Sequence, residues 1–347
     1  LSFLNITLSG ASAVEARATK LFQRLGDLSH PRNDTKMTLV SIITPSYNQA
    51  SYLEQTIQSV LEQDYPLIEY IVVDGGSTDN SAGIIQKYAD RLAYWISEKD
   101  SGQAEAINKG FARANGEIVA WLNSDDYYMR NTVSFAVRCF EQNPDVVMIY
   151  GDMLAVDGEG RTINVLKYKQ LSLEDLLCFQ ILGQPSVFFR RSALEKTGIL
   201  EPSFHFMLDH HLWIRLAQQG RILHVPQVWS AARYHPLAKN RARAAEFGRE
   251  AFRVLDWARK QPGLAEVLSK VQRRALASAH RYDARYLLDG GQSAAALGAW
   301  FRAFLIHPPT ALERLNLFVS AILMLTGLSR LREAILRHRQ QKLSGNK

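Results

Sequence analysis

Two neighbouring carboxylates, Asp125 and Asp126, follow the apolar run 118–122 in the stretch WLNSDDYY. Carboxylate oxygens bind hard divalent cations, and such a cation can bridge the oxygens of a bound phosphate. A cation and a nucleotide lying between the two side chains and solvent would make their like charges tolerable. The alternative is a turn in which both carboxylates are simply solvated. The pattern favours a cation-dependent phosphate site over that turn.

Polar clusters also follow three other apolar runs. Taken singly, each cluster fits an ordinary turn or helix N-cap. Ligands of a parallel sheet bind beyond the carboxyl ends of its strands, so clusters at several strand ends meet on one rim. Their coincidence therefore predicts a binding site at that rim. The clusters are Pro45-Ser46-Tyr47-Asn48, Asp74-Gly75-Gly76-Ser77-Thr78-Asp79 and Glu98-Lys99-Asp100-Ser101-Gly102.

The sequence lacks the two common glycine-rich phosphate loops. It contains neither GxxxxGK(S/T) nor GxGxxG, which argues against a P-loop ATPase and a Rossmann dehydrogenase. The charge of a bound diphosphate would need another partner. A divalent cation on Asp125 and Asp126 is the predicted one.

Short apolar runs alternate with amphipathic segments between residues 39 and 150. Apolar runs of this length predict strands, and helical spacing predicts helices between them. The alternation predicts an α/β fold with a parallel sheet covered on both faces. The predicted strands are 39–44, 68–73, 92–97, 117–122 and 146–150, and the predicted helices are 50–62, 79–89, 103–114 and 131–142.

The strand pattern stops after residue 235, and the charge balance changes there. Residues 236–347 hold 20 Lys and Arg against 8 Asp and Glu, whereas residues 1–235 hold 21 against 26. Apolar residues recur at helical spacing from Phe247 onwards, with joints at Pro262-Gly263 and Gly290-Gly291. We predict three segments: an N-terminal extension 1–36, an α/β domain 37–235 and a basic α-helical region 236–347.

The apolar segment 315–328, LNLFVSAILMLTGL, precedes a group of basic residues. Its 14 residues fall short of the roughly 20 that span a bilayer. An interfacial helix on an anionic membrane and an ordinary buried helix both stay open. No aromatic residues interleave with the last basic residues, which argues against nucleic acid as a partner. The basic residues are Arg330, Arg332, Arg337, Arg339 and Lys342.

The amino end and the cysteines bear on location. No basic region leads into an apolar one at the start, so no secretory signal is expected. Cys139 and Cys178 form no CxxC motif and are predicted to be buried thiols in a reducing compartment. The expected location is cytoplasmic, with the inner face of the plasma membrane as the place of any membrane contact.

Five stretches in order strongly resemble family 2 glycosyltransferases of the GT-A fold, especially the bacterial O-antigen and capsule type. The resemblance covers residues 39 to about 235. It implies a GT-A fold with a mostly parallel sheet, a nucleotide-diphosphate-sugar donor and a divalent metal, Mn²⁺ or Mg²⁺. The stretches are VSIITPSYNQ, IVVDGGSTDN, DSGQAEAINKG, WLNSDD and LDHHLWIRL.

The resemblance also implies roles at the donor end of the site. Asp125 and Asp126 match the aspartates that meet the ribose and the metal, with Asp126 preferred as the ligand. His235 ends a stretch similar to the Arg-x-His near the diphosphate, which suggests a third metal ligand; a plain loop histidine is the alternative. The other implied donor-binding residues are Pro45, Tyr47, Asn48, Asp74, Asp100, Asn108 and Lys109.

Two motifs differ from the pattern of many relatives. Asp74-Gly75-Gly76-Ser77 stands where they read Asp-Asp-Gly-Ser, so a carboxylate that often holds the base is missing. Asn123-Ser124-Asp125-Asp126 stands for Asp-x-Asp-Asp, so metal binding rests on the last two acids. The identity of the nucleotide base stays open.

Asp209, in FMLDHHLWIRL, lies where the family has its catalytic base. The predicted helix around it would place Asp209 in the first turn, where the helix dipole favours a charged carboxylate; an ordinary first-turn acid is the alternative. His210 and His211 diverge by roughly 100° on a helix and cannot easily share a metal. We expect one of them to be exposed and the other to pack against Trp213.

Two residues are assigned to the acceptor side. Gln184 lies in a loop that resembles the acceptor-side loop of the family, and Trp213 is a candidate sugar platform. A turn amide for Gln184 and a core position for Trp213 are the alternatives.

The predicted function is metal-dependent, inverting transfer of a hexosyl-type sugar. The acceptor would be a saccharide in cell-surface polysaccharide synthesis, and we prefer a lipid-linked one. The alternative is a non-catalytic scaffold that binds a nucleotide sugar and recruits partners through its helical tail. A nucleotidyltransferase would use similar metal chemistry but release pyrophosphate.

Overall fold

The structure, a computed structural model, describes residues 37–235 and 244–328. The described residues from Thr38 to Leu328 belong to one compact unit. The predicted extension 1–36, the residues 236–243 and the basic residues from 330 on lie outside the described residues. The division into three segments stays a prediction.

Nine strands of the described chain form one mixed sheet. They are β1 (Val40–Ser46), β2 (Ile68–Asp74), β3 (Tyr94–Ser97), β4 (Ile118–Trp121), β5 (Tyr127–Tyr128), β6 (Val146–Val156), β7 (Thr162–Leu166), β8 (Val187–Arg190) and β9 (Arg221–Arg233). Their order is β3-β2-β1-β4-β8-β6-β9-β5, with β7 also paired to β6. The first four strands are mutually parallel, whereas β8 runs antiparallel to both β4 and β6.

One group of helices lies within the α/β part, and a second group follows it in the chain. Those within the α/β part are α1 (Ala50–Leu61), α2 (Ser81–Lys87), α3 (Gln103–Phe111), α4 (Thr132–Gln142), α5 (Leu173–Leu177), α6 (Arg191–Thr197) and α7 (Leu208–Ala217). Those after it are α8 (Ala244–Lys260), α9 (Pro262–Asp289), α10 (Ser293–Ile306), α11 (Pro308–Leu312) and α12 (Leu315–Leu325).

The predicted alternation is confirmed through β6. Each predicted strand and helix of this part overlaps an observed one, and the joints at Pro262 and Gly290 mark the start and the end of α9. The pattern missed β5, β7, β8 and β9. A two-residue strand leaves no periodicity, and β9 mixes Pro226 with several polar residues, which obscures the apolar signal.

Two apolar cores lie on the sheet. One joins α1, α2 and α4 to the sheet and contains Cys139. The other contains Cys178 and joins α3 and α7 to the sheet and to the first C-terminal helices. Both cysteines are buried, as predicted. The ring centroid of Phe247, on α8, lies 4.6 Å from that of Phe206. The same ring stacks on Tyr286 of α9, with the centroids 4.4 Å apart. The C-terminal helices therefore pack directly beside the start of α7.

His210 and His211 are both buried, so the prediction that one is exposed is wrong. His210 stacks on Phe179 at 5.6 Å, and His211 stacks on Phe204 at 4.4 Å. Burial lowers the pKa of His210 to about 4 and the pKa of His211 to about 3. Near pH 7 both imidazoles are therefore neutral members of the core.

The segment 315–328 forms α12 and a short following turn. Leu317, Phe318 and Met324 pack against neighbouring helices, and Ala321 is buried. Leu315, Val319, Ile322, Leu325 and Leu328 remain exposed. The segment thus has one packed face and one exposed apolar face, and its contact with a membrane stays a prediction. Within the described ranges, no helix has both the length and the apolar character to cross a membrane.

Candidate active site

One cleft of about 2360 Å³ opens at the carboxyl ends of β1, β2 and β4. Helix α7 and the C-terminal helices α9 and α12 contribute to its lining. Ligand pockets commonly measure about 300–1000 Å³, so the cleft has room for more than one small ligand. Residues from all four predicted polar clusters line this cleft, so the structure confirms that the clusters lie together at one rim of the sheet.

Asp126 lies in the turn after β4, with its side chain almost fully buried at the cleft. Its Oδ1 accepts the backbone N–H of Arg233 at 2.9 Å, and its Oδ2 lies 3.4 Å from Nδ2 of Asn123. Burial and the neighbouring charge of Asp125 raise the pKa of the Asp126 carboxyl well above its usual range. A bound cation would oppose both effects.

Asp125 is held by two residues at the end of β9. Nε2 of His235 lies 3.1 Å from Oδ2 of Asp125, and Nε of Arg233 donates to the Asp125 carbonyl at 3.0 Å. His235 is buried, with its ring 4.9 Å from the ring of Tyr52. The structure thus brings Asp125, Asp126 and His235 together, although His235 does not line the cleft, and its role as a third metal ligand stays a prediction.

This donor set fits a hard divalent cation only in part. Two carboxylates on one turn supply suitable oxygen ligands. Among residues 37–235 and 244–328, no group of three or more His, Cys, Asp and Glu side chains is arranged to hold a metal by itself. Oxygens from a bound diphosphate would have to complete the coordination.

The Asn123 side chain donates a hydrogen bond that an aspartate in its place could not donate. Its Nδ2 donates to Oε1 of Gln184 at 3.0 Å, besides its approach to Asp126. Its Oδ1 accepts Nε2 of Gln103 at 2.9 Å. An aspartate here would lose the donor and add a third negative charge beside Asp125 and Asp126. The amide thus ties the β4 turn to α3 and to the segment before β8.

Gln184 lines the cleft, but its amide is already engaged. Nε2 donates to the carbonyl of Trp121 at 2.7 Å, and Oε1 accepts from Asn123. The residue is only 9% exposed. These contacts are those of an amide that holds a turn, which was the alternative for Gln184. Its role on the acceptor side stays a prediction.

Trp213 is a core residue, so its assignment to the acceptor side is wrong. It is 1% exposed and stacks on Trp121 at 5.0 Å with an interplanar angle of 22°. A ring packed on the interior side of β4 offers no face to a sugar. The apolar spacing of the helix was the better guide here than the residue type.

Pro45 and Tyr47 line the cleft, whereas Asp74 does not. Asp74 is fully buried and accepts hydrogen bonds from Ser77 N at 2.9 Å, Ser77 Oγ at 2.5 Å and Ser97 Oγ at 2.7 Å. We therefore correct the prediction of direct donor contact for Asp74. Its carboxylate fixes the loop after β2 to the end of β3.

Asn48 also fixes loops, and its predicted donor contact is corrected in the same way. Its Oδ1 accepts the backbone N–H of Thr78 at 2.8 Å, and its own N–H donates to Ser77 Oγ at 2.8 Å. It adopts the left-handed region with φ 53°, which asparagine tolerates better than most residues. Tyr47, immediately before it, is thereby presented at the cleft with 60% of its surface exposed.

Asp100 lines the cleft as predicted, next to the glycine loop. Its Oδ1 accepts the N–H of Gly102 at 2.9 Å. A Cβ atom on residue 75 would lie only 2.7 Å from Oδ2 of Asp100, so any larger residue there would displace the Asp100 carboxylate. Burial raises the pKa of the Asp100 carboxyl.

Asn108 and Lys109 do not line the cleft, and their predicted donor contacts are wrong. The Asn108 amide exchanges two hydrogen bonds with the backbone of Leu200, at 2.9 and 3.0 Å. Lys109 forms ion pairs with Glu98 at 2.8 Å and with Glu105 at 3.1 Å. A sequence stretch can match a motif while successive helical residues face different directions.

Asp209 lies in the first turn of α7 and lines the same cleft as Asp126. Its Oδ1 accepts the N–H of His210 at 2.7 Å. The predicted position near the helix start is confirmed, and the two acids open onto a shared space. That shared cleft is the geometry that a donor-binding acid and an acceptor-side base both require.

The sequence reasoning missed Glu250, a buried carboxylate on α8. It accepts the backbone N–H groups of His205 at 2.7 Å, Phe206 at 2.7 Å and Met207 at 2.9 Å. These residues directly precede α7. The available signal was an acid three residues after Phe247, on the buried stripe of α8. Glu250 therefore fixes the helix that carries Asp209 to the C-terminal helices.

Solved structures share this architecture. Staphylococcus aureus TarS 1-349 in complex with UDP-GlcNAc superposes with a TM-score of 0.54 at 16% identity, over 83% of this chain and 92% of that one. The mannosyltransferase PcManGT from Pyrobaculum calidifontis, in complex with GDP-Man and Mn²⁺, superposes at 0.56 with 20% identity, over 91% and 96%. At these identities the likeness concerns the fold, which is the GT-A fold of glycosyltransferases with a C-terminal helical region.

Sequence comparison identifies the family. Residues 41–198 match the profile of Glycosyl transferase family 2. The putative teichuronic acid biosynthesis glycosyltransferase TuaG of Bacillus subtilis is 34% identical over 52% of this chain and 73% of TuaG. An uncharacterized glycosyltransferase of Rickettsia typhi is 31% identical over 59% of this chain, and the match spans 66% of that protein. The chain belongs to glycosyl transferase family 2.

Replacing Glu250 tests the link between α8 and α7. Glu250→Ala should lower the free energy of unfolding by roughly 3 kcal/mol, because three N–H groups lose a charged acceptor. Glu250→Gln, which keeps one acceptor oxygen, should lower it less. Hydrogen–deuterium exchange of residues 205–207 should rise in the alanine variant.

The matched control is Glu266→Ala, which removes an exposed ion pair with Lys270 on α9. It should leave both stability and exchange near the starting values. Unchanged exchange at 205–207 in Glu250→Ala would contradict the proposed link.

Proposed function

We propose that this chain is a metal-dependent, inverting glycosyltransferase that moves a sugar from a nucleotide-diphosphate sugar to a saccharide acceptor. The observation that carries the proposal is the single cleft shared by Asp126, from the end of β4, and Asp209, from the start of α7. Family membership supports the transfer chemistry. The solved TarS and PcManGT complexes contain UDP-GlcNAc and GDP-Man, which supports a donor of this class.

The donor would lie at the carboxyl ends of β1 and β4. Pro45 and Tyr47 line that part of the cleft and would contact the nucleoside, with Asp100 close to the glycine loop. Asp126 and Asp125 would hold Mn²⁺ or Mg²⁺, with His235 supporting Asp125. Such a cation would stabilise the charge that develops on the leaving diphosphate.

Asp209 would act on the acceptor. The acceptor oxygen attacks the anomeric carbon from the face opposite the diphosphate, the bond from that carbon to the diphosphate oxygen breaks, and Asp209 takes the hydroxyl proton. One base and one displacement give inversion of the anomeric centre. The positive end of α7 helps to keep Asp209 ionised until it accepts that proton.

The metal requirement gives the direct test. Purified protein should release nucleoside diphosphate from a suitable nucleotide sugar with Mn²⁺ or Mg²⁺, and chelation should abolish the release. Asp126→Asn keeps the side-chain volume but removes the charge, and it should lower the rate by at least 10²-fold, on the order expected when a positioned catalytic group is lost.

Asp145→Asn is the matched control, since Asp145 is an exposed acid paired with Arg221. It should retain full activity. Full activity in the presence of chelator would reject metal dependence. Nucleotide-sugar binding without turnover, across a broad set of donors and acceptors, would instead support the scaffold alternative, and release of pyrophosphate would support a nucleotidyltransferase.

A lipid-linked acceptor at a cytoplasmic membrane face is the second part of the proposal. Leu315, Val319, Ile322 and Leu325 form an exposed apolar face on α12. Five basic residues follow this helix in the sequence, from Arg330 to Lys342. An apolar face next to basic residues suits the interface of an anionic bilayer. A role in cell-surface polysaccharide synthesis agrees with this placement.

Serine substitutions at Leu315, Val319, Ile322 and Leu325 test membrane contact. The fourfold variant should bind vesicles of phosphatidylcholine and phosphatidylglycerol at least tenfold more weakly, because roughly 1 kcal/mol or more of apolar burial is lost per residue. Cosedimentation measures this change. Ile199→Ser, at an exposed apolar residue before α7, is the control. Equal binding by the fourfold variant, with an unchanged melting temperature, would contradict membrane contact through α12.

A further inference from the structure

Charged side chains are unevenly distributed in the cleft, although Lys99 and Arg233 line it near the acids and Asp289 lines it near the arginines. Four acids, Asp100, Asp125, Asp126 and Asp209, lie on the rim of the sheet and at the start of α7. Basic side chains line a different part of the cleft, formed by the segment after β7 and by the C-terminal helices. They are Lys167, Lys169, Arg281, Arg285 and Arg314, and we call them the basic wall.

The three arginines of the basic wall come from neighbouring elements. Arg281 and Arg285 stand one turn apart on α9, and Arg314 directly precedes α12. Arg281 pairs with Glu313 and donates to the carbonyl of Thr310 at 3.2 Å. Desolvation and the charges of Arg281 and Arg285 lower the pKa of Arg314. Like charges have therefore been gathered at one surface, at an electrostatic cost.

Local acids offset only part of this charge. Arg285 lies 3.8 Å from Oδ2 of Asp289, a distance that makes a loose pair, and Glu313 is committed to Arg281. Among the described residues, the repulsion between like charges is therefore clearest at Arg314, whereas Asp289 and neighbouring tyrosines favour the charged form of Arg285. A bound anion would relieve the remaining repulsion.

Tyrosines add neutral donors to the same region. Tyr168, Tyr234, Tyr282 and Tyr286 line the cleft with Arg285. Burial raises the pKa of each of these phenols, so each stays protonated and can donate a hydrogen bond. Asp209 contributes to the raised pKa of Tyr282 and of Tyr286, which places the candidate base next to this group.

We propose that Arg285 and Arg314, supported by Arg281, bind a phosphate group carried by the acceptor. Guanidinium groups match phosphate oxygens in charge and in the geometry of paired hydrogen bonds. An uncharged saccharide could accept hydrogen bonds from these arginines but would not neutralise their charge. The inference rests on the proposed transferase function, because the phosphate would hold the acceptor hydroxyl beside Asp209. The basic wall would thereby select acceptors that contain phosphate, either a lipid phosphate or a soluble phosphate ester.

Binding of inorganic phosphate to the full chain tests this inference. The double variant Arg285→Gln/Arg314→Gln should bind phosphate about tenfold or more weakly in calorimetry, since charge-assisted hydrogen bonds are lost. Asp126→Asn should keep the original phosphate affinity, because its change lies at the donor end. Arg302→Gln, an exposed arginine on α10 outside the cleft lining, should behave like the unmodified protein.

Release of nucleoside diphosphate in the absence of acceptor tests the proposed transferase function separately from the proposed phosphate site. If the unmodified protein shows no metal-dependent release, the proposed function fails. If release and donor affinity are unchanged in the double variant while phosphate affinity falls, the acceptor site is supported. Unchanged phosphate affinity, or a matching loss of donor affinity, would overturn it, the latter by assigning the arginines to the donor.

Two further probes identify the source of the phosphate. Vesicles of phosphatidylcholine with phosphatidic acid present a lipid phosphate, and glycerol 3-phosphate presents a soluble one. Weaker binding of the double variant to the phosphatidic acid vesicles alone supports a lipid-linked acceptor. Weaker binding to glycerol 3-phosphate alone supports a soluble phosphate ester. If neither changes, the inference is wrong.

Discussion

Two adjacent acids at the end of β4 impose the main constraint on this structure. Asp126 is buried beside the charge of Asp125, an arrangement that is unfavourable unless other groups offset it. The end of β9 supplies these groups, through the N–H of Arg233 and the ring of His235. The strands beyond β8 in the sheet therefore support the two acids at the end of β4.

The C-terminal helices belong to the site as much as the sheet does. Glu250 fixes the start of α7 and thereby the position of Asp209. Arg281, Arg285 and Arg314 line the cleft that Asp126 and Asp209 share. A cleft with acids at one part and guanidinium groups at another can hold a cation–diphosphate pair and a second anion without mixing them. On this view, acceptor choice depends on the helices and donor binding on the sheet.

The sequence predicted positions most accurately where short-range periodicity determines the local structure. Strand ends located the rim, and helix spacing placed Asp209, which the family resemblance singled out, in the first turn of a helix; both placements follow from short-range periodicity. It failed for Asp74, Asn48, Asn108 and Lys109, whose partners lie on other elements and satisfy the side chains away from the cleft. Glu250 was missed for the same reason: its three donors are more than 40 residues away in the chain. Such contacts depend on tertiary packing.

In the proposed mechanism Asp209 serves the acceptor and not the donor. Comparing donor affinity with transfer rate in Asp209→Asn tests this role, because the variant keeps the shape of the side chain but cannot accept the proton. We expect unchanged affinity for nucleotide sugar in the presence of Mn²⁺ and a transfer rate lowered by about 10²–10⁴-fold. A variant that transfers sugar at the original rate, or one that loses donor binding to the same extent as transfer, would contradict it.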